Sequence, residues 1–140
     1  MKLIAFNLSK IHAEKKSAIS SKNLEVNSNI DISSIESTEV DLLKTKEDFL
    51  EVSFNYILNY SEDYATLEFS GKMLLSVEHK RAKEILNDWK TKIVSEDLRL
   101  ILLNIIIQKT SIKSLELEET LNIPLHLPLP RVTQKKEESI

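Results

Sequence analysis

Three histidines, His12, His79 and His126, are the side chains of this sequence best suited to proton transfer or metal binding near neutral pH. None stands at ligand spacing from another, whereas a zinc-binding helix needs two on one face, four residues apart. Each therefore reads as a surface or strand-end residue. The adjacent acids Glu62-Asp63 and Glu118-Glu119 fall at a predicted turn and near a predicted helix end, where carboxylates are solvated. A catalytic carboxylate needs a pocket and a perturbed pKa. The chain has no cysteine, which removes thiol catalysis, disulfides and Cys-ligated zinc. It has one glycine, Gly71, where an average chain of this length carries about ten. A glycine-rich phosphate loop, a dinucleotide fingerprint and a nucleophile elbow all need more. The sequence thus predicts no catalytic residue, no metal and no cofactor, and points to binding or assembly.

The basic residues Lys80, Arg81, Lys83, Lys90, Lys92 and Arg99 cluster in and around one predicted helix. Residues 72–113 carry nine Lys and Arg against five acids. Two readings stand. In one, the set is a solvated outer face, with Glu84 and Asp88 pairing with Lys80 and Lys92. In the other, it contacts RNA phosphate, as on a ribosome-associated protein.

Apolar alternation predicts four strands in the first half. Ile4, Phe6 and Leu8 mark the first; Ile11 and Ala13 have the opposite parity, so an inserted residue near Ser9-Lys10 is needed to restore the face. Ser17 to Asn23 reads as a connection. Leu24, Val26, Ile30 and Ile32 mark the second strand. Leu50, Val52, Phe54, Tyr56, Leu58 and Tyr60 mark the third. After the turn Ser61-Glu62-Asp63, the fourth runs from Ala65 through Gly71 to Val77 and forms a hairpin with the third. Gly71 on its apolar face is read as the point where a packed helix lies closest, a simple kink being the alternative.

At His79 the period changes from two to 3.6. Ala82, Ile85, Leu86 and Trp89 predict an amphipathic helix over 80–91, with Trp89 in the core. Ser95, followed by Glu96 and Asp97, starts a second helix. Its main face reads as Leu98, Ile101, Leu102, Ile105 and Ile112, with a break possible near Thr110-Ser111. Leu100, Leu103, Ile106 and Ile107 make it apolar nearly all round, so it must be buried on more than one side. An oligomer or partner interface supplies the second layer; the alternative is the chain's own tail, Ile123 to Leu129. That tail is predicted extended, its leucines on one side. Arg131 to Ile140 reads as flexible.

The 140 residues fit one domain, taken as residues 1–130, and 21 leucines with 16 isoleucines suffice for a core without staples. Net charge is −3, with an acidic excess in the first half and a slight basic excess in the second. That balance does not suit a general nucleic-acid binder. No leader and no segment of about 20 apolar residues is read, so the expected location is cytoplasmic.

Four antiparallel strands, a short helix, a long apolar helix and a tail resemble the element order of the SecB export chaperones over roughly residues 3–122. The segments Phe49 to Val77 and Trp89-Lys90 through Leu129-Pro130-Arg131 resemble archaeal SecB-like proteins. The resemblance implies a tetramer built as a dimer of dimers, helices between two sheets, and apolar grooves that hold unfolded chains. Two departures matter: SecB chaperones are markedly acidic, and Lys135 to Ile140 here lacks an evident motif for docking on an export motor.

The expectation is therefore an α+β domain, a four-stranded antiparallel sheet with two helices on one face. It holds extended apolar segments of nascent or unfolded chains without catalysis. Phe54, Tyr56, Tyr60 and Phe69 are expected to touch the polypeptide, and Leu98, Leu102, Ile105 and Ile106 to assemble a homo-oligomer.

Overall fold

The computed structural model describes residues 1–16, 24–39 and 47–134. The expected connection 17–23 and the end of the tail, 135–140, lie outside the described residues. The strands are β1 (Lys2–Lys15), β2 (Val26–Thr38), β3 (Asp48–Tyr60) and β4 (Ala65–Val77); the helices are α1 (His79–Trp89) and α2 (Glu96–Leu121). The strands form one antiparallel sheet in the order β1-β4-β3-β2. Both helices pack on one face of it, so the α+β class and the layer order are as the sequence predicts.

The β3–β4 hairpin is the clearest consequence of the pattern. Leu50, Val52, Phe54, Tyr56, Leu58 and Tyr60 are all buried, as are Leu67, Phe69, Met73, Leu75 and Val77 opposite them. Each buried side chain of this size stabilises the fold by about 1.5–3 kcal/mol relative to exposure. These two central strands therefore supply most of the core.

Edge strands keep their face only by bulging. In β1 the register shifts between Leu8 and Lys10, at the predicted insertion, which returns Ile11 opposite Phe69 and Ala13 opposite Leu67. A second shift, between Leu3 and Ala5, was not expected. It turns Leu3 rather than Ile4 toward the core and leaves Ile4 exposed. In β2 one shift between Ile32 and Ser34 lets Ile35 follow Ile30 and Ile32 into the core.

Gly71 corrects one expectation. It pairs with Leu8 of β1 and Phe54 of β3, and the backbone pressing on it is β1 beside its bulge, not a helix. A Cβ there collides with the Asn7 carbonyl oxygen and meets the Leu8 Cα at 3.0 Å. The missing side chain also lets Phe6 and Phe54 stack across β4, ring centroids 5.3 Å apart.

The second helix differs from its predicted face. Leu98, Leu102, Ile106, Thr110, Ser114 and Glu118 form the buried stripe, at strict four-residue spacing. Ile101 is exposed, Ile112 is 72 % exposed and Ile105 is half-buried. A four-residue step advances about 40° around a helix, so the stripe winds about 200° from Leu98 to Glu118. A helix laid across a twisted sheet meets it along such a line. No break occurs at Thr110-Ser111: both hydroxyls donate to carbonyls one turn back, Thr110 Oγ1 to Ile106 O at 2.7 Å, and the helix continues.

Gly71→Ala is expected to cost about 1–3 kcal/mol of stability, because the obstructing atoms are backbone. Urea unfolding checks this; an unchanged midpoint would contradict the close approach of β1.

Candidate functional site

The sheet has two outer strands, and they differ. β1 carries two bulges and Lys2, Lys10 and Lys15, devices that discourage further strand pairing. From Val26 to Ile32, β2 has no bulge, no lysine and no proline. Among the described residues no strand pairs with its outer side.

Two recesses lie end to end along this open edge. One, of about 200 Å³, is apolar in character and lined by Val26, Ser28, Leu58, Ile107, His126 and Leu127, with Tyr56 also on its wall. The other, of about 560 Å³, lies between Asn29–Ser33 and the Trp89, Lys92, Val94 and Arg99 side of the α1–α2 connection. Arg99 and Ile107 are two four-residue steps apart on α2, with Leu103 between them, so one helix face borders both recesses. The strand from Val26 to Ser33 spans about 25 Å at ~3.3 Å per residue. The result is a groove with an unpaired strand edge on one side and a helix on the other.

The apolar end of the groove is fixed by a buried polar cluster. α2 ends at Asn122, whose left-handed backbone (φ 58°) turns the chain back toward the sheet, with Ile123 N–H donating to Glu118 O at 2.9 Å. Ile123 is buried. The Glu118 carboxylate is 0 % exposed and takes the Tyr60 hydroxyl at 2.5 Å and the His126 backbone N–H at 3.2 Å. His126 Nδ1 lies 2.8 Å from the same carboxylate, its side chain 7 % exposed. The Tyr60 hydroxyl is also 2.6 Å from the Pro124 carbonyl oxygen. These contacts seat residues 123–127 against β3 and bring Leu127 into the groove, while Leu125 and Leu129 stay exposed.

Two expectations are corrected here. His126 is not a surface residue, and Glu118 is not a solvated member of an acid pair. The signal for Glu118 was its place four residues after Ser114 on a stripe of period four, which a 3.6-residue reading passes over. Burial first, then the hydrogen bond and charge of Glu118, hold the Tyr60 phenol well above the usual tyrosine range. Burial and the same carboxylate raise Tyr56.

At the polar end, α1 stops in a similar way. Lys92 is left-handed (φ 59°), with its N–H donating to Trp89 O at 2.8 Å and Ile93 N–H to Asp88 O at 3.0 Å. The Lys92 ammonium lies over the Trp89 ring, 4.5 Å from its centroid, rather than pairing with Asp88. Trp89 packs partly against the core and partly lines the recess. Arg81 joins the two helices: it donates to Glu84, Ser95 Oγ and Asp97 at 3.0–3.1 Å. Ser95 therefore serves Arg81 rather than capping α2 with its side chain. Hydrogen bonding from Ser95, followed by the Arg81 charge, lowers the Asp97 carboxyl.

The predicted site residues are thus redistributed. Phe54, Tyr56, Tyr60 and Phe69 are core residues, of which Tyr56 reaches the groove wall. Leu98, Leu102 and Ile106 are buried against the chain's own sheet, and Ile105 is half-buried. The large apolar side chains left exposed on α2 are Leu100, Ile101, Ile107 and Ile112. Of the basic set, Lys80, Lys83 and Lys90 are exposed on α1, Arg81 is occupied by acids, and Lys92 and Arg99 face the groove.

Tyr60→Phe removes the donor to Glu118 and is expected to cost about 1–2 kcal/mol at pH 7. In the unfolded chain the phenol ionises near pH 10; in the folded chain it ionises higher. Its contribution is therefore complete below about pH 10 and is lost as pH rises beyond, because the unfolded chain releases a proton that the folded chain keeps. Thermal melts from pH 9 to about 11.5 should fall less steeply for Tyr60→Phe than for the native chain; parallel curves would contradict the buried contact.

No family model matches the chain, and no curated protein does. Among solved structures, it is similar to the SecB-like chaperone Rv1957 of Mycobacterium tuberculosis, solved in complex with a ChAD peptide from the Rv1956 HigA1 antitoxin. The TM-score is 0.49 and the identity 14 %, over 96 % of this chain and 92 % of that one.

Proposed function

We propose that the protein is a non-enzymatic, SecB-like chaperone that holds extended apolar segments of unfolded or nascent polypeptides along the open edge of β2. The observation that carries this reading is the groove itself. A strand edge that is bulge-free from Val26 to Ile32 and unpaired among the described residues offers backbone hydrogen bonds to any extended chain, whatever its sequence. The recess at Val26, Leu58, Ile107 and Leu127 offers apolar burial to alternate side chains of that chain. Backbone pairing supplies affinity without sequence choice, and shallow apolar recesses add broad preference, which together suit a holding function. Residues 1–130 are the unit that carries it, and the proposed place of action is the cytoplasm. Among the described residues no helix is long and apolar enough to cross a membrane.

The homo-oligomer belongs to the same proposal, with a different surface from the one the sequence suggested. Leu98, Leu102 and Ile106 are committed to the core, so self-association falls to the exposed apolar side chains of α2, among them Leu100, Ile101 and Ile112.

Ile107→Asp tests the reading. Ile107 is exposed enough for the substitution to leave the fold intact, and it borders the apolar recess. The variant is expected to keep the native circular dichroism spectrum and to lose at least half of the suppression of aggregation measured with a chemically unfolded model protein. Full suppression by Ile107→Asp would contradict the groove. Co-sedimentation of the native chain with ribosomes, fading steeply with salt, would instead favour RNA docking through Lys80, Lys83 and Lys90.

A further inference from the structure

The polar end of the groove holds two cations, Lys92 just past the end of α1 and Arg99 in the first turn of α2. Lys92 has a left-handed backbone, which a non-glycine residue adopts at a cost of about 1 kcal/mol or more. Glycine is the usual residue where a helix stops in this way. Arg99 stands at the end of the first turn of α2, where the helix dipole favours acids over cations. Of the nearby acids, Glu96 in the same turn is exposed and forms no ion pair with Arg99, and Asp97 and Glu84 are held by Arg81. Among the described residues neither Lys92 nor Arg99 has a carboxylate partner; the Lys92 ammonium rests on the Trp89 ring instead. Two local rules broken at one recess, by side chains of the same charge, mark a site under functional demand.

We infer that this recess selects an acidic side chain of the bound polypeptide: an extended segment lies along β2 with an apolar residue at Val26, Leu58 and Ile107, and an Asp or Glu carboxylate between Lys92 and Arg99. The inference rests on the proposed polypeptide-holding function and assigns its charge preference. Charge complementarity sets the sign, and the strand edge sets the spacing. From the Val26–Ser28 recess to Asn29–Ser33 is about four to six residues of extended chain. The Val94 side chain and the Trp89 ring give the methylene stem of the acidic residue an apolar wall. Asp31, on the strand side of the recess, faces the polypeptide with the one opposing charge, so an acidic residue gains most where it lies nearer the α1–α2 connection than the strand.

Trp89 is the only tryptophan of the chain and lines the recess, so its fluorescence reports occupancy directly. The experiment titrates three synthetic peptides of about ten residues into the full chain. They share one apolar anchor and differ only in carrying Glu, Gln or Lys about four residues away, an even spacing that points both side chains to the same face. The Glu peptide is expected to bind about tenfold more tightly than the Gln peptide at low salt, and the Lys peptide more weakly than either, with the differences shrinking as salt rises. Lys92→Gly, a residue better suited to the left-handed position, and Arg99→Glu, better suited to the helix start, are each expected to fold normally and to reduce the Glu preference. Equal binding of the Glu and Gln peptides, or a Glu preference unchanged in both variants, would overturn the inference and leave the polypeptide-holding function standing. Failure of all three peptides to bind would overturn that function, and the inference with it.

Discussion

One face of the β3–β4 hairpin is apolar from end to end, and α2 is the element that must cover it. The sheet twists, so the helix meets it along a winding line, and the residues on that line recur every four positions. Leu98, Leu102 and Ile106 serve the aliphatic part of the core. The same line then reaches Thr110, Ser114 and Glu118, whose polar atoms are satisfied internally: the two hydroxyls by the helix's own carbonyls, the carboxylate by Tyr60 and His126. A buried carboxylate without such partners would cost several kcal/mol. The turn at Asn122 and the return of residues 123–127 to the sheet are therefore conditions of this packing. The same return brings His126 and Leu127 to the apolar end of the β2 groove.

The winding also decides what is left outside. A straight helix with a stripe of period four exposes positions that a 3.6-residue pattern assigns to the core. Ile101 and Ile112 remain on the surface for this reason, and with Leu100 they are the side chains proposed for self-association. The groove is a consequence of the two helix stops. Lys92 ends α1 close to β2 and opens the polar recess; Asn122 ends α2 and builds the apolar one. Between them, among the described residues, the outer edge of β2 from Val26 to Ile32 is a long stretch of sheet margin free of bulges and lysines.

Where side chains alternate on a two-sided sheet, the sequence was an adequate guide. The faces of β3 and β4, the hairpin, the bulge at Ser9 and the start of α2 at Glu96 all follow from residue type and period. Three features were hidden for specific reasons. The β1 bulge at Ile4 replaces one apolar residue by another in the core, so the pattern carries no trace of it. Gly71 correctly signalled a close backbone, but a glycine cannot say whether a helix or the next strand approaches. Glu118 and His126 pair across a chain reversal, with Tyr60 supplied by a distant strand; the period-four stripe marks Glu118 as buried, but its partners depend on tertiary position. The site followed the same division. Its basic residues were recognisable as a set and Trp89 was read as core, but only the left-handed turn at Lys92 separates the two cations that face the groove from those that face solvent or acids.

Amide hydrogen exchange, with and without an unfolded polypeptide segment of about ten residues, tests the central claim most directly. Pairing along the groove predicts slower exchange at the outward-facing amides of β2 from Val26 to Ile32, with those of β1 unchanged. Protection confined to β1, or no change in β2 when the segment is bound, would contradict it.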